Sequence, residues 1–153
     1  MAKMNDLTIG IIGGGQLGRM LAMAAARLNH GTIVLEPQAD CPAAQVCNDQ
    51  IVADYDDESA LAELARRCDV VTYEFENVPV AAAEMLAASV PVYPPPQALN
   101  ASQDRLTEKR FLNGCGIPTA DFRAIDSQEE LEAALAAFGG KGVLKTRRMG
   151  YDG

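Results

Sequence analysis

Thr8-Ile9-Gly10-Ile11-Ile12-Gly13-Gly14-Gly15-Gln16-Leu17-Gly18 decides the fold class of this 153-residue chain. The apolar, β-branched run from Thr8 to Ile12 ends abruptly in three glycines, the mark of a buried strand feeding a tight turn. Leu17, Met20, Leu21, Ala24 and Leu28 then recur at helical spacing, and Asn29-His30-Gly31 supplies a helix stop. The same cadence continues downstream. Thr32 to Leu35, Gln50 to Ala53, Val70 to Tyr73 and Val90 to Tyr93 read as four further strands. Between them, Asp40 with Pro42 predicts a short helix. Asp56 or Asp57 predicts a cap for a helix with Leu61, Leu64, Ala65 and Cys68 on one face. Pro79 opens an Ala-rich helix carrying Met85 and Leu86. Strands alternating with helices at this spacing predict an α/β, doubly wound parallel sheet covered on both faces.

Pro94-Pro95-Pro96 is a stiff segment suited to a domain boundary, which places one unit at 1–98 and a second at 99–153. In the second, Ser102 is expected to cap a helix running to about Leu112, stopped by Asn113-Gly114. Thr119 to Ile125 reads as a strand. Ser127 with Glu130 forms an S-x-x-E capping box for a helix with Leu131, Ala134, Leu135 and Phe138 on one face, ended by Gly139-Gly140. Gly142 to Thr146 reads as a last strand, followed by the glycine loop Gly150-Tyr151-Asp152-Gly153. So short a second unit is too small for a comfortable core of its own.

Composition narrows the function classes. Apolar residues make up 48% and charged residues 22%, which is globular composition. With aromatics at 5% and no Trp, the core must be aliphatic. The net charge of −8 repels phosphate backbones and anionic lipid, so neither nucleic acid nor a membrane surface is expected as a partner. A small anionic substrate stays open, because a local pocket can be positive on an acidic protein. Cys41, Cys47, Cys68 and Cys115 lack metal-ligand spacing, and His30 is the one histidine, so no zinc site and no Ser-His-Asp triad is expected. Scattered free thiols suggest a reducing cytoplasm. No apolar run approaches the ~20 residues of a membrane span.

Four stretches carry candidate chemistry. Gly13, Gly15 and Gly18 satisfy G-x-G-x-x-G between a strand and a helix, where free amides and the helix dipole attract an anion. The bland alternative is a tight strand-to-helix turn. Glu36, closing the second strand, lies at the spacing of a ribose-binding acid, which keeps a dinucleotide site of an NAD-binding dehydrogenase open as a rival. Tyr73-Glu74-Phe75-Glu76-Asn77 ends the fourth strand, at the sheet edge where ligands of such folds sit. Its polar groups fit sugar hydroxyls or an amino group equally as well as a helix cap. Ser102 to Arg110 reads as a solvated charged helix face. Lys145, Arg147 and Arg148, ahead of a glycine loop, can hold nucleotide phosphates.

Taken together, Ile11 to Met20, Tyr73 to Pro79, Gln103 to Lys109, Val143 to Arg148 and Gly150 to Gly153 resemble the 5-(carboxyamino)imidazole ribonucleotide synthase family of the ATP-grasp superfamily, from about Thr8 to Gly153. The resemblance implies a Rossmann-like pre-ATP-grasp domain that holds substrate, followed by the incomplete start of an ATP-grasp domain. It implies a ligase that uses ATP and bicarbonate to carboxylate 5-aminoimidazole ribonucleotide in purine biosynthesis, through carboxyphosphate, with Mg2+ on the triphosphate. On that likeness the amides of Gly15, Gln16 and Leu17 cradle the substrate 5′-phosphate, and Glu74 contacts its sugar or aminoimidazole. Arg105 and Lys145 match ATP-contacting positions. Gly150, Tyr151, Asp152 and Gly153 match the loop over the phosphates, with Tyr151 and Asp152 also facing substrate and Asp152 the catalytic candidate. The family's members are longer, and the resemblance implies a homodimer for the full-length protein. The adenine pocket and metal-binding acids fall in the part not represented here, so the chain is expected to be a fragment inactive alone. A non-catalytic nucleotide-binding or interaction module is the third reading.

Overall fold

The computed structural model describes residues 6–150. Its contacts divide the chain into two compact units between Asn100 and Ala101. In the first unit, four strands, β1 (Thr8–Ile12), β2 (Gly31–Leu35), β3 (Asp49–Ile51) and β4 (Val70–Tyr73), form one parallel sheet in the order β3-β2-β1-β4. Helices α1 (Gln16–Arg27), α2 (Glu58–Arg67) and α3 (Val80–Ala87) cover it, and α4 (Pro96–Gln103) follows. The chain steps outward from β1 to β2 and β3, then crosses back to place β4 on the other side of β1. This reversal makes the C-terminal ends of β1 and β4 the point where the strand order switches, the place where ligands of open α/β sheets bind.

Alternation along the strands feeds two cores. Ile33 and Leu35 join Ile12, Val71, Leu61, Leu64 and Leu86 on one face, while Val34 packs with Cys41 and Ala43 on the other. Asp57 caps α2 by accepting the N–H groups of Ser59 (2.9 Å) and Ala60 (3.0 Å). Helix α1 ends in a Schellman arrangement: Asn29 takes positive φ, His30 N–H reaches Ala25 C=O, and Asn29 N–H reaches Ala26 C=O. His30 is structural, accepting Leu7 N–H on Nδ1 at 3.3 Å. The face α1 buries is its small one, Gly18, Ala22 and Ala25, and Leu17, Met20, Leu21 and Leu28 are exposed. Gly18 explains this: a Cβ there would collide with Gly13 C=O, so helix and strand meet backbone to backbone.

Several expected elements are corrected. Val90 to Tyr93 is not a fifth strand but a single parallel bridge, Val71 to Val92, made by Val71 N–H to Pro91 C=O and Tyr93 N–H to Val71 C=O. Pro91 and Pro94, lacking N–H groups, cannot extend the ladder. Asp40 to Cys47 forms consecutive turns rather than a helix, tied to the glycine loop by Ala43 N–H to Gly14 C=O (2.9 Å). The third strand spans Asp49–Ile51 rather than Gln50 to Ala53.

In the second unit, α5 (Arg105–Gly114) is capped by Asp104 rather than Ser102, which lies inside α4. It ends at Gly114, where the Asn113-Gly114 stop was expected, and Gly116 at φ 78° carries the Schellman turn that follows. Helix α6 (Gln128–Ala137) has Ser127 as its N-cap, and Gly139 and Gly140 close it at positive φ. Thr119 to Ile125 and Gly142 to Thr146 are irregular rather than strands. A strand needs a neighbour to bond, and among the described residues neither segment has one; Val143 is 81% exposed. No described helix is long and apolar enough to cross a membrane.

Candidate substrate-binding site at the glycine loop

The pairing of β1 with β4 builds the site. The register places Ile12 opposite Tyr73, and Glu74 N–H continues the ladder to Ile12 C=O at 3.0 Å. The loop that follows β1 and the acidic segment that follows β4 therefore leave the sheet side by side. Gly13 turns at φ 103°, and its N–H returns to Leu35 C=O (3.0 Å), so the loop is also tied to β2. A side chain on Gly13 would strike Glu74 Cγ, and one on Gly15 would lie 2.9 Å from Glu74 Oε1.

The Glu74 carboxylate lies against the Gly15 backbone, its Oε1 2.9 Å from where a Gly15 Cβ would stand, and the Gly15 N–H favours its charged form. Burial pushes its pKa above the usual glutamate range; the Gly15 N–H opposes this and the nearby Glu36 charge adds to it. Gln16 and Leu17 occupy the first two helical positions of α1, where N–H groups have no intrahelical acceptor, and both residues are exposed. No acidic side chain stands in the first turn of α1. The loop thus offers one amide beside a carboxylate and two open to a ligand, at the positive end of a helix dipole.

Glu36 does not sit free at the end of β2. Its Oε2 accepts Gly14 N–H at 2.7 Å and the Tyr55 hydroxyl at 2.6 Å, and Oε1 accepts Gln38 N–H at 3.3 Å. Tyr55 was not singled out by sequence reasoning; its role arises from a contact across nineteen positions that no local pattern carries. Asn77 is half-buried, and Glu76 is exposed. Pro79 occupies the cap position of α3, which has no side-chain cap.

In the second unit, Asp104 gathers the basic residues. It is buried, accepts the N–H groups of Leu106 and Thr107 (both 3.0 Å), and pairs with Arg147 Nη2 at 2.8 Å and Arg148 Nε at 3.8 Å. Arg105 N–H donates to Arg147 C=O (2.9 Å). This brings the backbone of Arg105 beside the segment carrying Lys145, and leaves both side chains exposed. Gly150 is exposed too; Tyr151, Asp152 and Gly153 lie outside the described residues.

Residues 6–103 match the family described as "Ribonucleotide synthetase preATP-grasp domain". The chain belongs to that family. Residues 110–153 match the ATP-grasp domain family, so the preATP-grasp unit is followed by ATP-grasp sequence. The N5-carboxyaminoimidazole ribonucleotide synthase of Brucella melitensis is 69% identical over 146 residues, covering 95% of this chain and 40% of the relative. A crystal structure of an ADP complex of N5-carboxyaminoimidazole ribonucleotide synthetase superposes with a TM-score of 0.93 at 44% identity, over 97% of this chain and 39% of that one. The Aspergillus clavatus synthase in complex with ADP and 5-aminoimidazole ribonucleotide gives 0.81 at 35% identity, over 88% and 37%. The preATP-grasp chain therefore spans about 40% of the length of the curated relatives it matches.

Proposed function

We propose that this chain is the ribonucleotide-holding part of a carbon–nitrogen ligase that carboxylates 5-aminoimidazole ribonucleotide at the expense of ATP. The observation that carries the reading is the placing of Glu74 against the α1 N-terminus at the C-terminal ends of β1 and β4. It is supported by the relative whose crystal structure holds ADP and that same ribonucleotide. Bicarbonate oxygen attacks the γ-phosphorus of ATP, releasing ADP and forming carboxyphosphate. The exocyclic amine then attacks the carboxyl carbon, the C–O bond to phosphate breaks, and phosphate and a proton leave.

In this reading the N–H groups of Gly15, Gln16 and Leu17 bind the 5′-phosphate, and Glu74 orients the sugar or the aminoimidazole. Arg105 and Lys145 contact ATP. Gly150, Tyr151, Asp152 and Gly153 begin the loop over its phosphates, with Tyr151 and Asp152 also facing substrate and Asp152 the catalytic candidate. Mg2+ would neutralise the triphosphate, but no described cluster of three acidic, Cys or His side chains can hold a metal ion, so no step here passes through it. A cytoplasmic homodimer is the assembly the reading carries for the longer protein. Calorimetry on the 153-residue chain tests the ribonucleotide half of the proposal. Heat of binding with 5-aminoimidazole ribonucleotide and none with NAD supports it. Binding of NAD without the ribonucleotide overturns it in favour of a dehydrogenase-type site.

A further inference from the structure

We infer that Glu36 is a specificity-determining positioning residue: by bridging Gly14 N–H and the Tyr55 hydroxyl, it withdraws the middle of the glycine loop from ligands and sets the loop for one phosphate rather than two. This rests on the ribonucleotide reading and deepens it.

An acid at the end of the second strand of a dinucleotide fold must stay free to accept the two hydroxyls of a ribose. Here three donors already converge on the Glu36 carboxylate, from Gly14, Tyr55 and Gln38. A carboxylate has roughly four acceptor positions, so about one remains. Tyr55 is itself fixed, its ring tilted against Phe75 with centroids 5.2 Å apart. Burial and the Glu36 charge raise the tyrosine pKa, so its hydroxyl stays a donor. Phe75 adjoins Glu74, and its Cδ1 lies 3.0 Å from where a Gly13 Cβ would stand. A chain of contacts thus runs from β4 through Phe75, Tyr55 and Glu36 back to the loop.

Gly14 is committed on every side. Its N–H goes to Glu36, and its C=O accepts Ala43 N–H at 2.9 Å. The space a side chain would need is filled by Cys41 Sγ and by Glu36, with Cγ at 2.7 Å and Cβ at 2.9 Å. A pyrophosphate spanning the loop would require Gly14 N–H and the volume Glu36 fills. Only the amides from Gly15 onward remain, enough for a single phosphoryl group on the end of α1.

The test compares 5-aminoimidazole ribonucleotide with its phosphate-free riboside, titrated into the 153-residue chain and followed by NMR. Glu36→Ala is expected to weaken the ribonucleotide about tenfold, the scale of one hydrogen bond to a charged group, and to leave the riboside unchanged. Glu36→Gln keeps an oxygen for Gly14 N–H and is expected to recover most of that loss. Tyr55→Phe, which deletes one hydroxyl, is expected to give a smaller loss of the same phosphate-selective kind. Equal losses for both ligands, or wild-type affinity in Glu36→Ala, would overturn the assignment while leaving the ribonucleotide reading intact. A wild-type chain that ignores the ribonucleotide would overturn both.

Discussion

The carboxylate of Glu74 stands against the backbone of Gly15, its Oε1 2.9 Å from where a Gly15 Cβ would stand, because the segments after β1 and β4 leave the sheet side by side. The loop thereby faces an anion of its own chain, the same chemical class as the phosphate it is proposed to bind. A half-buried carboxylate stands there at a cost, because burial disfavours its charged form more than the Gly15 N–H restores it.

That cost sets a pH dependence. Glu74 titrates above the ordinary glutamate range, so its charged form is less favourable in the fold than in the unfolded chain. The penalty is fully present above the folded pKa and is relieved as pH falls through it, vanishing below the unfolded pKa. Glu74→Gln, which keeps an oxygen for Gly15 N–H, should raise the thermal midpoint at pH 7 and lose that advantage in acid. The Glu74 carboxyl resonance should also shift its titration downward in Glu36→Gln, since the Glu36 charge is one of its causes. A Glu74 titration at or below the normal range contradicts this account.

Glycine positions differ sharply in tolerance. A Cβ at Gly18 meets the Gly13 carbonyl, which is backbone and cannot move without shifting β1 or α1. At Gly31 the nearest atom, Asn48 Oδ1, is 3.5 Å away, an ordinary contact. Urea unfolding should show Gly18→Ala destabilised by about 1–3 kcal/mol, the usual scale of overpacking, with ribonucleotide binding weakened as well. Gly31→Ala should change stability far less. Equal effects at both positions would contradict the close approach of α1 to the sheet.

Asp104 couples a helix cap to a basic loop. Bonds from Thr107 N–H first, and then from Arg147, hold its pKa below the usual carboxylate range. Its contribution is present above the unfolded value and lost as pH falls through the folded one. Asp104→Asn should preserve the cap and release Arg147, while Asp104→Ala should lose both and cost about 0.5–2 kcal/mol for the cap. Amide exchange at Leu106, Thr107 and Arg105 reads the difference. Arg105 exchange should rise in both variants, because its partner is the Arg147 carbonyl, and Leu106 and Thr107 only in the alanine.

The elements the sequence announced are those whose signals are local. The β-branched run into Gly13, the Asp57 cap and the Ser127 cap each carry their cause within a few residues and form as expected, though Glu130 returns to Asp126 N–H rather than closing the box on Ser127 N–H. The strands that failed depend on distant partners: Val90 to Tyr93 meets only Val71, and Gly142 to Thr146 meets no described strand. Cap choice misled where two polar residues stood close together, since Ser102 fits the same pattern as Asp104 and only the position of the Leu106 and Thr107 amides decides. The site divides in the same way. The glycine loop and Glu74 were readable as strand ends, whereas the engagement of Glu36 by Tyr55 required the fold.

The central claim, that the first amides of α1 take the phosphate of a ribonucleotide, is met most directly by amide-resolved NMR of the 153-residue chain during addition of 5-aminoimidazole ribonucleotide. The account predicts saturable downfield movement of the Gly15, Gln16 and Leu17 amide protons, with Gly14 held in place by Glu36. Static Gln16 and Leu17 resonances at saturating ribonucleotide, or the same movement produced by NAD alone, would contradict it.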